Sequence, residues 1–118
     1  MRDPLHAVAE LPQFIRDAVN AGLTAEELGF IVETIAGTPR AGDEIRGSGG
    51  VRKVRFAGRG KGKSGGYRVL TAYFRPDVPV YLLALLSKGE RANFSAAEIA
   101  GFKQLTAVIS RDWKRRLR

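Results

Sequence analysis

The sequence predicts an α+β fold, a small antiparallel β-sheet with an N-terminal helical hairpin and a C-terminal helix. Two capping boxes, in which a Thr or Ser is followed three residues later by Glu, predict helices that begin after Thr24 and Ser95. Between them lie three segments with strand patterns, bounded by turns rich in glycine and proline. The length of 118 residues indicates one domain, which we assign to residues 1–118.

The helical segments are predicted from their apolar spacing and from the signals at their ends. A weak strand pattern at 5–10 precedes a helix over about 12–20, whose first residue is a proline that a first helical turn tolerates. The second helix follows Thr24 and ends near Gly37, because glycine and a nearby proline stop helices. The last helix is predicted over about 96–116. We expect the helices to pack on one face of the sheet.

Three core strands are predicted over about 51–57, 67–75 and 79–87, so the element order is β-α-α-β-β-β-α. Residues 40–50 before them are expected to form a loop that ends in Gly-Ser-Gly-Gly. Residues 81–86 are apolar at every position, which predicts a central strand covered on both faces.

The composition excludes several kinds of site. The chain has no cysteine, which rules out disulfides and thiolate metal sites, and its one histidine, His6, provides neither a His-rich metal site nor a pair of histidine acid and base. No run of about 20 apolar residues predicts a membrane span, and the first residues lack the pattern of a secretion signal. We therefore expect a cytoplasmic protein without a metal or another cofactor.

The positive charge is clustered along the chain. The net charge is +8, but residues 1–43 carry three cations and seven acids, a net −4, whereas residues 44–70 carry eight cations and one acid, a net +7. Residues 94–118 add a net +4. Spread-out charge would indicate only solubility, whereas this clustering predicts one surface that binds a polyanion.

Residues 60–64, Gly-Lys-Gly-Lys-Ser, are similar to the end of a phosphate-binding P-loop. That motif requires a glycine where this chain has Ala57, and it precedes a helix, whereas a strand pattern follows here. We therefore predict a flexible charged hairpin loop, whose lysines attract a phosphate backbone.

Five cations are predicted to lie together on the sheet. Alternation in the first core strand puts Lys53 and Arg55 on one face, opposite the apolar residues of that strand. Arg68 opens the next strand, and Lys88 and Arg91 follow the third. If the three strands are neighbours, these cations converge on one phosphate site. The alternative is that they are ordinary solvated residues of a sheet face, but their clustering with few acids favours the phosphate site.

Three stretches of the sequence resemble the RelE/ParE superfamily of bacterial toxins from type II toxin–antitoxin pairs, and in spacing and order they resemble its HigB-like branch. The resemblance covers roughly residues 36–98. Its most specific parts are GDEIRGSGGVRKVR at 42–55, GKGKSGGYRV at 60–69, and YLL at 81–83 with KGE at 88–90.

The resemblance implies a RelE-like fold and a ribosome-dependent endoribonuclease, an mRNA interferase that cuts messages in the decoding site and so inhibits translation. Such toxins are hydrolases that bind RNA and the ribosome. It also implies a cognate antitoxin, often one with a helix-turn-helix domain, through which the toxin reaches operator DNA only indirectly.

The chemistry of RNA cleavage assigns roles to these residues. The 2′-hydroxyl attacks the adjacent phosphate, and fixed cations stabilise the charge that gathers on the phosphate oxygens. Arginine is too basic to accept the proton, whereas a lysine can do so where neighbouring cations and desolvation lower its pKa. We therefore assign Lys53 as the candidate general base, Arg55 and Arg68 as ligands of the scissile phosphate, and Lys88 and Arg91 as supporting cations. The residues expected to contact RNA elsewhere are Arg52, Arg59, Lys61, Lys63 and Tyr67.

Two places depart from the RelE-type pattern. Where those members have an arginine after the lysine and a tyrosine a few residues later, this chain has Gly89 and Phe94-Ser95. The resemblance therefore leaves the identity of the general acid and base open. The alternatives are a ParE-like toxin that acts on DNA gyrase, a non-catalytic nucleic-acid-binding module, and an inactive toxin-fold protein. The basic tail after Trp113 is interpreted either as a nucleic-acid arm or as the end of a helix whose Trp113 lies in the core.

Overall fold

The computed structural model describes residues 5–57, 66–87 and 94–117. The chain forms a five-stranded sheet with two helices before its long strands and one helix after them. In chain order the elements are β1 Val8–Glu10, α1 Pro12–Asn20, α2 Ala25–Gly37, β2 Asp43–Glu44, β3 Val51–Phe56, β4 Tyr67–Ala72, β5 Val80–Ser87 and α3 Ala96–Arg116. The predicted α+β class, with its N-terminal helices and C-terminal helix, is confirmed.

The strands lie in the order β1-β5-β4-β3-β2. The pairs β3–β4 and β4–β5 are antiparallel, as expected, and the pair β2–β3 is antiparallel as well. At one edge β1 pairs parallel with β5, with Val8 opposite Val80, so the sheet is mixed rather than wholly antiparallel. At the other edge the residues expected to form a loop contain the two-residue strand β2.

One face of the sheet packs against α1 and α2, and we call it the hairpin face. Its core is formed by Phe14 of α1 and Ile31 and Ile35 of α2, packed on strand residues that include Val54 and Val69. All of these side chains are buried. Because Phe14 is completely inaccessible, the short helix α1 is held by tertiary packing rather than by its own helix propensity.

The opposite face packs against α3, and we call it the α3 face. Val51, Leu70 and Leu83 are buried there, with Phe102 of α3 packed against them. The expectation that all helices lie on one face was wrong. The reason is visible in β5: Leu82 belongs to the core of the hairpin face and Leu83 to that of the α3 face, so both faces must be covered.

Both predicted capping boxes are present, and they fix where α2 and α3 begin. At α2, Glu27 N–H donates to Thr24 Oγ1 at 3.0 Å, and Thr24 N–H donates to Glu27 Oε1 at 2.9 Å. At α3, Ser95 and Glu98 make the same two bonds at 3.1 and 2.9 Å. Each box satisfies two backbone donors that a helix start otherwise leaves unpaired.

Helix α3 contacts the α3 face of the sheet along a narrow strip of its own surface. Thr106 is its one fully buried residue, and Trp113, half-buried near its C-terminal end, donates from Nε1 to the hydroxyl of Tyr81. The glycine turn before β3 fits against the same helix: Gly49 has φ +78°, and a Cβ at this position would clash with Thr106 Oγ1. The structure thus supports the interpretation that Trp113 belongs to the packing of α3 on the sheet.

In the described parts of the chain, no helix is both long and apolar enough to cross a membrane.

Candidate functional site

Three cations lie on the α3 face through strand register alone. Lys53 and Arg55 alternate with the buried Val54 along β3, and Arg68 on β4 is the direct cross-strand partner of Arg55. Directly opposite residues have Cβ atoms about 5 Å apart, so the three side chains start from one small area. We call Lys53, Arg55 and Arg68 the cation cluster.

This arrangement has an electrostatic cost to the fold. Like charges directly opposite one another destabilise an antiparallel pair, and Arg55 and Arg68 are such a pair. Across residues 5–57, 66–87 and 94–117, neither arginine has a carboxylate within ion-pair distance. Arg55 is exposed and Arg68 half-exposed, so an anion from solution can reach both. A phosphate would relieve their repulsion.

The cross-strand rows continue from the cluster into an apolar surface. Lys53 lies opposite Leu70, which lies opposite Ala84, while Arg68 lies opposite Leu86. Leu70, Ala84 and Leu86 line an open cavity of about 480 Å³. The described lining does not include the cluster itself, but it includes Leu70 and Leu86, the direct cross-strand neighbours of Lys53 and Arg68, one strand spacing of about 4.8 Å away.

Helices α1 and α3 form the walls of the cavity. Phe102 belongs to α3, and Phe94 lies two residues before the helix begins. Their rings meet edge to face, with centroids 5.3 Å apart. From α1 comes Asp17, whose Oδ2 accepts a hydrogen bond of 3.0 Å from Leu85 N–H. This bond ties α1 to the edge of β5 beyond the short strand β1, and it satisfies a donor that an edge strand otherwise exposes.

The β2 strand brings a carboxylate into the same rows. Asp43 is the direct partner of Lys53 in the β2–β3 register, so the row across the sheet reads Asp43, Lys53, Leu70, Ala84. The sequence pattern indicated only a solvated loop at Asp43. Its register therefore places an acidic residue next to Lys53 on the outer side of the row.

Two of the residues expected to contact RNA lie away from the cluster. Arg52 points to the hairpin face, where its Nη1 donates to Gly42 O at 3.1 Å and its Nη2 lies 4.0 Å from Glu44 Oε1. Tyr67 is partly buried against the core of the hairpin face. The remaining predicted site residues lie outside the described residues: Arg59, Lys61, Lys63, Lys88 and Arg91.

The apolar side of this site could not be predicted from the sequence pattern. Leu70, Phe94 and Phe102 look like ordinary core residues, and only the tertiary arrangement leaves a cavity between them. The available signal was strand alternation, which places Leu70 on the same face as Arg68. The site thus combines cations on two paired strands with a nearby cavity that is lined in part by aromatic rings. Among the described residues no three His, Asp or Glu side chains gather as metal ligands would.

Comparison with known proteins gives a family assignment. The family model described as the RelE toxin of the RelE/RelB toxin–antitoxin system matches residues 11–118. A solved structure of E. coli toxin RelE, a double arginine-to-alanine mutant in the free state, is 19% identical and has a TM-score of 0.55, covering 84% of this chain and 94% of that chain. The structural likeness shows a shared fold. Because the family model covers almost the whole sequence, this chain belongs to the RelE family of toxins from toxin–antitoxin systems.

Proposed function

We propose that this toxin is a ribosome-dependent mRNA endoribonuclease of the HigB-like branch, which inhibits translation by cutting messages. The observation that carries the proposal is the cation cluster, held on adjacent strands and open to solvent beside a cavity. Ordinary solvated cations would be spread over the surface. Here Arg55 and Arg68 face one another at an electrostatic cost, which is expected where an anionic ligand completes the site.

In the proposed reaction the 2′-hydroxyl of one nucleotide attacks the adjacent phosphorus while the bond from phosphorus to the 5′-oxygen breaks. The leaving 5′-oxygen takes a proton from water, so the products are a 2′,3′-cyclic phosphate and a 5′-hydroxyl. Lys53 takes the proton of the attacking hydroxyl, because it is the only amine in the cation cluster and arginine is too basic for this role. Lys88 and Arg91 remain proposed as supporting cations.

Arg55 and Arg68 hold the non-bridging phosphate oxygens in this mechanism. Negative charge on those oxygens grows towards the transition state, so cations that are already in place stabilise it more than the ground state. Both arginines rise from paired strands in the middle of the sheet, so the backbone positions from which they reach the phosphate are set by the fold.

The proposed partners follow from this activity. The family assignment implies a cognate antitoxin, and we propose that it is of the helix-turn-helix type. The substrate is mRNA on the ribosome, which places the toxin in the cytoplasm. A short neighbouring gene that encodes a helix-turn-helix protein would support this assignment.

The test is cleavage in a reconstituted translation system, with primer extension on the translated message. The wild-type toxin should produce new 3′ ends, and both Lys53→Ala and Arg68→Ala should lower the cleavage rate about 100-fold or more. Arg75→Ala is the matched control, because Arg75 lies in the β4–β5 turn and pairs with Asp77 on the surface. It should cut at the wild-type rate.

Two outcomes contradict the proposal in different ways. Messages that stay intact while the topology of plasmid DNA changes would point to a gyrase-directed toxin. Full cleavage by both Lys53→Ala and Arg68→Ala would leave the activity standing and reject the cation cluster as its site.

A further inference from the structure

We infer that the cavity beside the cation cluster is a binding pocket for an RNA base, the base of a nucleotide next to the phosphate that Arg55 and Arg68 hold. The inference rests on the proposed function in one respect, namely that the ligand of the cluster is RNA. It goes beyond that function by assigning a ligand to a part of the surface whose described lining holds no cation and, on its rim, the carboxylates of Asp17 and Glu98.

The lining of the cavity matches the chemistry of a base. Leu70, Ala84 and Leu86 form an apolar floor, and the rings of Phe94 and Phe102 form one wall. A nucleobase is planar and has two apolar faces, so it gains from stacking on aromatic rings and from leaving water. The volume of about 480 Å³ lies within the range of about 300–1,000 Å³ that small-ligand sites occupy.

The position of the cavity selects a nucleotide over other apolar ligands. Leu70 and Leu86, on its floor, are the direct cross-strand neighbours of Lys53 and Arg68. A phosphate at the cluster therefore lies about one strand spacing from the floor, a distance that a ribose spans. A lipid tail or an apolar peptide would fill the cavity but leave the cations unmatched, whereas a nucleotide satisfies both.

The rim of the cavity carries groups that can read the edge of a base. Gln13 and Asp17 are occupied, since Gln13 Nε2 donates to Asp17 Oδ1 at 2.7 Å and Asp17 also accepts from β5. Asn20, at the exposed end of α1, lines the same rim. Its amide provides a donor and an acceptor side by side, which is the pattern that hydrogen-bonds a base edge.

The experiment measures base contact directly and without the ribosome. A tetraribonucleotide containing one 2-aminopurine is titrated with the full-length toxin, and quenching of its fluorescence reports stacking. The same tetranucleotide with an abasic site in place of that base is titrated by competition. The wild-type toxin should quench the 2-aminopurine and bind the abasic probe roughly tenfold more weakly.

Ala84→Leu is the decisive variant, because it fills the cavity from its floor and leaves every cation in place. It should remove most of the quenching and bind both probes with the weaker affinity of the abasic one. Ala107→Leu is the matched control on the exposed side of α3 and should behave as the wild type. Thermal unfolding of each variant checks that it is folded. If Ala84→Leu does not fold, Phe94→Ala serves instead, since it removes one wall from a position outside the helix.

The outcomes separate the pocket from the proposed function. Equal binding of the intact and the abasic probe by the wild-type toxin, or full quenching by a folded Ala84→Leu, would overturn the pocket. A toxin that discriminates between the two probes but never cuts a translated message would retain the pocket and lose the ribonuclease assignment.

Discussion

At the scale of single residues, the face of strand β3 on which a residue lies decides its role. Arg52 and Arg55 are the same residue type in one six-residue strand, yet they lie on opposite faces. Arg52 is used by the fold, through its bond to Gly42 O and its approach to Glu44. Arg55 is exposed opposite Arg68. The period of two along a strand therefore decides which arginine can meet a phosphate on the α3 face.

This separation predicts different outcomes for two matched substitutions. Arg55→Ala should lower the rate of message cleavage about 100-fold, because it removes a cation from the proposed phosphate site. Arg52→Ala should change that rate only a few-fold, and it should instead lower the free energy of unfolding by about 1 kcal/mol through the lost bond to Gly42 O. Cleavage rates in the translation assay and urea unfolding of both variants check the two halves. Equal loss of cleavage in both would show that the face of the strand is irrelevant to function.

At the scale of elements, the start of α3 matters because it frames the cavity. Ser95 caps the helix between Phe94 and Glu98, both of which line the cavity. The cap of α2 at Thr24 has the same bonds but no lining residue beside it. The two caps are therefore equivalent for helix stability and different for the site.

We expect Ser95→Ala and Thr24→Ala each to lower the free energy of unfolding by about 1 kcal/mol, since each removes one N-cap acceptor. Only Ser95→Ala should also weaken quenching of the 2-aminopurine probe, because the first turn of α3 then holds Phe94 less firmly. Urea unfolding and probe titration of the two variants measure these effects side by side. Quenching that is reduced equally in both variants would mean that general stability, and not the α3 wall, controls the pocket.

Elements with local signals could be predicted from the sequence. The capping boxes and Gly37 define α2 and the start of α3, and alternation defines β3. Strand β2 could not be predicted, because Asp43 and Glu44 are residue types that strands disfavour. In the structure it pairs with β3, where Lys53 and Arg52 lie across from these two acids.

The candidate site likewise has one part that could be predicted from the sequence and one part that could not. The shared face of Lys53, Arg55 and Arg68 follows from strand alternation and neighbouring strands, both of which the sequence pattern indicates. The cavity depends on contacts between distant segments, such as the bond from Leu85 N–H to Asp17, which are 68 positions apart. No local sequence pattern predicts that α3 lies on the opposite face of the sheet from α1, with a cavity lined by both helices.

At the scale of the whole molecule, the charges are sorted onto different parts of the surface. The segment that carries α1 and α2 is acidic, whereas the strands β3 and β4 bring cations to the α3 face. A second group of cations, Lys114, Arg115 and Arg116, lies in the last turn of α3, where two of them pair with Asp112. A polyanion is therefore attracted to the α3 face at two separate places.

The two places lie on different elements, the cation cluster on β3 and β4 and the second group on the last turn of α3, so their contributions can be removed separately. Helix α3 has 21 residues and is therefore about 30 Å long, and it is its first turns that line the cavity. We expect a tetranucleotide at the proposed site to contact the cation cluster and the cavity, which is lined by the first turns of α3 and not by its last turn. Its affinity should fall with salt in proportion to the phosphates that the cluster alone neutralises, with a slope of about −0.7 per phosphate for a single strand.

The double variant Arg55→Ala/Arg68→Ala should therefore flatten the salt slope for the tetranucleotide by up to about 1.4, the contribution of two phosphate contacts. The triple variant Lys114→Ala/Arg115→Ala/Arg116→Ala removes more charge but should leave that slope unchanged, because its cations lie at the far end of α3. Fluorescence titrations from low to moderate salt measure both slopes. A triple variant that flattens the slope as much as the double variant would mean that net charge, and not the geometry of the cation cluster, governs RNA binding.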